Sequence, residues 1–253
     1  MDTRVRHVVL VGRDLDAEAG LLGRVLGIEE AFREPPGLGL DMRNIVMPVG
    51  EDFLEVCVGA HGNAPARRYV QAAGPGGYMV LLQVADFEAA RDRARAQGVR
   101  LVWEYECDGH RECHLHPADV GGAIVGIEWS RVRADWRWAG TDWRSHVRTD
   151  SVTGLAAVTL SSSDPAALAA RWAAILGLAP VAMPDGSRQA SLGGQLIRFA
   201  HWPQARSRLT GIDLLAADAA GVRRRAAAAG CQVLDGRVLA GGVSFGLVET
   251  SHP

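Results

Sequence analysis

The 253-residue chain has no lysine: all 27 of its basic residues are arginine. That absence excludes Schiff-base catalysis, which needs a primary amine, and a phosphate-binding loop ending in Gly-Lys. Cysteine is scarce. The four residues Cys57, Cys107, Cys113 and Cys231 include no C-x-x-C pair, so neither a disulfide framework nor a structural zinc site is expected. No apolar run approaches the ~20 residues of a membrane-crossing helix, and the first residues lack the basic-then-apolar layout of a secretory signal. Neither charge sign predominates. The net charge of −2 gives no electrostatic reason to expect nucleic acid or an anionic membrane as partner. These absences point to a cytoplasmic protein, monomer or homodimer, whose partner is a small molecule.

The chain does have a repeat. An apolar strand, an aspartate, a helix closed by glycine and further short strands occur four times. The first copy runs "RHVVLVGRD", with Asp14 or Asp16 as helix cap, to Gly27; the second has Asp86 and Gly98, the third Asp164 and Gly177, the fourth Asp218 and Gly230. Aspartate caps and glycine stops are ordinary helix punctuation, but the spacing carries more. Asp14 and Gly27 recur 150 residues later in the third copy, and Asp86 and Gly98 recur 132 later in the fourth. This is a duplicated pair of β-α-β-β-β units. The strands that follow each helix are expected at "IEEAFRE", "RNIVMPVG" and "DFLEVCVG" in the first copy, and at "RLVWEYEC", "RECHLHP" and "GAIVGIEW" in the second. Residues 1–130 and 152–250 are therefore expected to form two α+β domains. The stretch 131–151 between them carries Trp136, Trp138 and Trp143 and is expected to be ordered and packed, since a flexible linker would be rich in Gly and Ser.

Paired units of this form, opened by "HVVLVGRDLDAEAGLLGRVLGI" and closed by "HLHPADVGGAIVGIEW", resemble the vicinal oxygen chelate superfamily, which includes glyoxalase I, bleomycin-resistance proteins and extradiol dioxygenases. The first half looks most like its methylmalonyl-CoA epimerase branch. The resemblance implies two tandem glyoxalase-like domains with cupped mixed sheets, the second one degenerate. It also implies a divalent metal (Zn, Fe, Mn, Co or Ni) and no organic cofactor. The ligands come from the first and last strands of each unit, which assigns His7 and Glu55 in the first unit. In the second unit Met79 and Gly126 stand at the matching positions, and thioether is a poor ligand for a hard ion. Glu128, two residues on and on the same strand face, and His114 on the adjacent strand complete a set of His7, Glu55, His114 and Glu128.

The implied chemistry is lyase or isomerase work on a carbonyl compound through an enolate-type intermediate, with Glu55 or Glu128 moving the proton. A CoA ester is not indicated, because no lysine or basic groove awaits its phosphates. Asn44, Met79, Tyr78 and Trp103 are the expected substrate contacts. A metal-free protein that binds or sequesters an aromatic small molecule, as in the antibiotic-resistance members, is the rival reading, and a catalytically inert interaction module is a third. Glu104, Glu106, His110 and Glu112 read as a solvated strand edge. In the second half the matching positions are Ala157, Arg198, Gly211 and Val248, so no ligand set is expected there.

Overall fold

A computed structural model describes residues 3–35 and 41–249. The first sequence half runs β1 (Arg4–Val11), α1 (Leu15–Leu26), β2 (Phe32–Arg33), β3 (Met42–Val49), β4 (Asp52–Gly59), α2 (Pro65–Ala73), β5 (Gly76–Gln83), α3 (Phe87–Ala96), β6 (Leu101–Cys107), β7 (His110–Leu115), α4 (Pro117–Val120) and β8 (Ile124–Ser130). The second runs β9 (Val152–Ser162), α5 (Pro165–Leu176), β10 (Val181–Ala182), β11 (Arg188–Leu192), β12 (Gln195–His201), β13 (Arg208–Ala216), α6 (Ala219–Ala228), β14 (Gln232–Leu234), β15 (Arg237–Ala240) and β16 (Val243–Glu249). The strands form two eight-stranded mixed sheets. The first has the order β2-β3-β4-β1-β5-β8-β7-β6, and the second, β10-β11-β12-β9-β13-β16-β15-β14, repeats it with every strand number raised by eight. The duplication read from the helix punctuation is thus a duplication of sheet topology, and the fold is two tandem α+β sheets of one topology.

The punctuation works as its chemistry requires. Asp14, Asp86, Asp164 and Asp218 each accept a hydrogen bond from the backbone N–H three residues on, which satisfies an otherwise unpaired donor of the first helical turn. Of the two aspartates considered for the first cap, Asp14 is the cap and Asp16 lies in the first turn. Gly27 and Gly177 close their helices in the left-handed conformation, at φ 71° and 70°. Two helices fall outside the repeat pattern: α2, inserted between the first two units, and the single turn α4, whose N-terminus His116 caps by accepting from Ala118 N–H. The strand expected across "IEEAFRE" shrinks to Phe32–Arg33.

Within this topology the chain forms two compact units. One comprises Met1–Arg6, Tyr78–Trp136 and Ala157–Thr210, the other His7–Gly77, Arg137–Ala156 and Gly211–Pro253. In the first, Arg6 is fully buried. Its guanidinium donates to the carbonyls of Arg133, Ala134 and Asp135 and to Gln83 Oε1, and it lies over the Trp136 ring at 5.0 Å. In the second, Phe53 meets the buried Trp143 edge-on at 4.9 Å. Two indoles of the 131–151 stretch are therefore core residues. Among the described residues no helix is long and apolar enough to cross a membrane, and the four cysteines are free thiols.

Candidate metal and acid-base site

Strand β7 reads His110-Arg111-Glu112-Cys113-His114-Leu115. Side chains alternate across a strand, so His110, Glu112 and His114 share one face while Cys113 and Leu115 share the other. Cys113 and Leu115 are fully buried, and the polar three are buried as well, at 4 %, 2 % and 4 % exposure. Cross-strand register then assembles rows on the polar face. Leu81, Gly126, His114 and Trp103 are successive partners across β5, β8, β7 and β6; Gln83, Glu128, Glu112 and Tyr105 form the next row. Beyond it His110 stands opposite Ser130.

Burial without compensation would make this face costly, because a carboxylate removed from water loses its hydration. Compensation comes from the imidazoles. His114 Nε2 lies 2.6 Å from Glu112 Oε1, His110 Nδ1 lies 3.4 Å from Glu128 Oε1, and His110 Nε2 lies 3.8 Å from Glu112 Oε2. Burial by itself raises the Glu112 carboxyl, but the neighbouring His114 and His110 imidazoles outweigh it and hold the group well below the usual carboxylate range. One donor atom each of His110, Glu112 and Glu128 lie within 4.8 Å of one another, a nitrogen and two oxygens that fit a borderline divalent ion. Glu112 Oε2 is buried and has no hydrogen-bond partner. Trp103 tilts over the His114 ring at 4.6 Å and stacks on Tyr105 at 5.7 Å and 8°, so aromatic faces border the cluster.

The other compact unit carries a second imidazole–carboxylate pair. β1 and β4 run parallel, with His7 opposite Phe53 and Val9 opposite Glu55. His7 Nε2 stands 3.2 Å from Glu55 Oε2, with His7 fully buried and Glu55 6 % exposed. Asn44 on β3 extends the line, donating to Glu55 Oε1 at 3.2 Å and to Glu34 Oε2 at 3.0 Å. Burial and the Glu55 charge push the Glu34 carboxyl above its ordinary range.

The sequence-predicted residues thus fall into two groups. His7, Glu55 and Asn44 come together in the 7–77 unit, while His114, Glu128, Met79 and Trp103 lie on one face of β5–β8 in the other. Tyr78 precedes Met79 along β5 and so projects from the opposite face. The solvated edge expected at Glu104, Glu106, His110 and Glu112 is half corrected. Glu104 and Glu106 are exposed, but His110 and Glu112 are buried members of the cluster. The overlooked signal was the i, i+2, i+4 spacing in "HRECH", which puts all three polar side chains on one strand face. Glu34 was likewise not anticipated. The two buried thiols are poor nucleophiles: burial, with the Glu104 and Glu112 charges, pushes Cys113 up to about 12, and burial raises Cys57 well above the ordinary thiol range.

The second sheet departs from the first at the same place. Asp213 pairs with Gly246 across β13 and β16, as Leu81 pairs with Gly126 across β5 and β8. Asp213, 5 % exposed, receives Arg237 Nη2 at 2.8 Å. An acid–arginine ion pair there stands where the first sheet has leucine and a histidine.

Comparison with known proteins gives a fold for the whole chain and a family match for part of it. Residues 6–114 match the family described as the Glyoxalase/Bleomycin resistance protein/Dioxygenase superfamily. A search of curated proteins by sequence found no match. Among solved structures, a hypothetical protein from Staphylococcus aureus is similar over 99 % of this chain and 100 % of its own, at TM-score 0.70 and 12 % identity. A mutant of 4-hydroxymandelate synthase from Streptomyces coelicolor is similar over 91 % of this chain and 76 % of its own, at TM-score 0.67 and 17 % identity. Methylmalonyl-CoA epimerase from Mycobacterium tuberculosis aligns with 50 % of this chain and 87 % of its own, at TM-score 0.44 and 23 % identity.

Proposed function

We propose, from the similarity of residues 6–114 to the Glyoxalase/Bleomycin resistance protein/Dioxygenase superfamily and from the geometry of the buried pairs, that this protein is a small-molecule enzyme, a lyase or isomerase that moves a proton next to a carbonyl group through an enolate-type intermediate. The observation that carries the reading is the pairing of three buried glutamates with imidazoles: Glu55 with His7, Glu128 with His110, and Glu112 with His114. Burial makes a carboxylate a stronger base, whereas an adjacent imidazole steadies its charge and keeps it ionised, ready to take a proton that the imidazole can accept or return. Glu55 and Glu128 are the proton carriers in this reading, and Asn44, held between Glu34 and Glu55, orients the first of them. A divalent ion, when bound, would supply positive charge against which an enolate oxygen develops. His110, Glu112 and Glu128 are the residues suited to hold it.

The test is proton exchange. Small 2-oxo acids, 2-hydroxy ketones and 1,2-dicarbonyl compounds are incubated with the protein in D2O, and loss of the α-proton signal is followed by NMR. Replacing the true carrier, Glu55→Gln or Glu128→Gln, lowers the exchange rate by about 10²–10⁴. Equal rates in the protein and both variants would refute the assignment.

A second reading rests on the aromatic ladder of Trp103 and Tyr105 beside His114. Flat, partly exposed rings next to hydrogen-bonding imidazole suit the capture of an aromatic molecule without turnover. Saturable binding of such compounds, with no α-proton exchange in any carbonyl compound, would favour it.

A further inference from the structure

We infer that strands β7 and β8 by themselves hold a divalent metal ion, ligated by His110, Glu112 and Glu128. This site uses none of the four positions that the superfamily resemblance marks, His7, Glu55, Met79 and Gly126. The inference goes beyond the proposed reaction, because an ion is bound here whether or not the chain turns over a carbonyl compound.

Three observations converge. First, Glu112 and Glu128 are direct cross-strand partners, and both are buried, at 2 % and 0 % exposure. Like charges opposite each other on a sheet repel, and burial removes the water that would screen them. His110 and His114 offset part of that repulsion from the sides, and a dication between the two carboxylates offsets it directly. Second, the oxygens of Glu112 have different surroundings. Oε1 takes His114 Nε2 at 2.6 Å, whereas Oε2 is buried without a hydrogen-bond partner and faces the cluster, 3.8 Å from His110 Nε2. An ion supplies what Oε2 lacks. Third, the three donors already lie within 4.8 Å of one another. Donors around a zinc-sized ion at about 2.0–2.2 Å stand about 3–3.5 Å apart, so side-chain rotation closes the site without moving the strands. One nitrogen and two carboxylate oxygens leave coordination positions for water or substrate.

His114 is a positioning residue in this arrangement. It holds Glu112 by the oxygen that does not face the cluster, as an outer-shell partner of a ligating carboxylate does. Gly126 stands opposite His114, and a Cβ there would be in ordinary van der Waals contact, at 3.4 Å, with both Glu112 Oε1 and His114 Cδ2.

The full chain is stripped with a chelator and titrated with Zn²⁺ or Co²⁺ alone by calorimetry, with Co²⁺ absorption as a second signal. One ion per chain is expected. His110→Gln and Glu128→Gln lower affinity by more than about 100-fold, and His114→Gln lowers it by about 10–100-fold while keeping the stoichiometry. His7→Gln leaves it unchanged. Circular dichroism of each stripped variant separates loss of ligand from loss of fold. For any variant that folds poorly, the Zn²⁺-induced rise in unfolding temperature, present in the parent and absent in the isosteric Glu112→Gln, serves instead. Three results would overturn the inference: no stoichiometric ion in the parent, binding that survives His110→Gln, or loss of binding in His7→Gln. Turnover enters none of these readouts, so a failed reaction assay and a failed metal site are told apart.

Discussion

Gly126→Ala tests whether the space opposite His114 is as tight as the register implies. The glycine is not needed for its backbone, because its φ is not among the positive values. On conformational grounds alone alanine would stabilise the protein by about 0.4–1 kcal/mol, through the entropy of the unfolded chain. Packing opposes this. A Cβ would meet Leu81 Cγ at 2.9 Å, a distance at which something must shift, and that carbon is the branch point of a buried side chain. Overpacking of this kind costs about 1–3 kcal/mol, so the clash wins. The net expectation is a destabilisation of about 1–2 kcal/mol, a fall of about 2–8 °C in unfolding temperature for a chain of this size. Calorimetry or denaturant titration of the stripped protein measures it. Leu81→Ala removes the obstructing carbon, and in that background the added methyl should stabilise, giving a coupling of at least ~1 kcal/mol in a double-mutant cycle. Gly98→Ala is the control: its φ is +70° with nothing within 4 Å of a Cβ, so it should cost about 1 kcal/mol through backbone strain alone and show no coupling to Leu81. A Gly126→Ala protein more stable than the parent, or equally destabilised with and without the Leu81 side chain, would refute the reasoning.

Two further expectations follow from buried or charge-assisted contacts. Arg6→Met leaves the carbonyls of Arg133, Ala134 and Asp135 without the guanidinium that serves all three; hydrogen bonds to a charged group contribute about 1.5–3 kcal/mol each when isolated, and because these act as one unit the expected loss is about 3 kcal/mol, read as a lower denaturant midpoint. Asp119 accepts from the Arg100 side chain at 2.8 Å and from its backbone N–H at 3.0 Å, and these bonds hold its carboxyl well below the usual range. A depressed carboxyl stabilises the fold above its unfolded value and loses that contribution as pH falls, so Asp119→Asn should flatten the stability–pH curve below about pH 4 and leave its slope at neutral pH unchanged.

The architecture was legible because its signals are local. An aspartate that caps a helix does so within three residues, and a glycine closes one because no other residue enters the left-handed region so cheaply. Repetition of those landmarks at matching offsets was enough to read four units and two tandem sheets. The short edge strands were overread, since "IEEAFRE" has strand character but only Phe32–Arg33 find a partner. The cluster was only partly legible. Glu128 entered as the carboxylate two residues beyond a family position and His114 as a substitute on the adjacent strand for a missing imidazole, whereas His110 and Glu112 were set aside with Glu104 and Glu106 as surface charge. Alternation puts His110, Glu112 and His114 on one face of β7, but the hairpin register separates them from Glu104 and Glu106, which stand opposite Cys113 and Arg111 and are exposed. The ion pair of Asp213 and Arg237 was also hidden, because its members lie 24 residues apart and meet only through the pairing of β13 with β16 and the hairpin that carries Arg237.

What sequence alone determined is therefore everything that depends on neighbours within a turn or two: helix caps and stops, strand alternation, the duplication, and the absence of an amine or a reactive thiol pair for covalent work. What tertiary structure decided is which polar side chains lose their water together. Register set Glu112 opposite Glu128 and His114 opposite a glycine, and burial turned an ordinary polar strand into a dense set of imidazoles and carboxylates. The physical reason is range: hydrogen bonds along the backbone are short and periodic, so they are written in adjacent residues, while desolvation depends on strands brought together from distant parts of the chain.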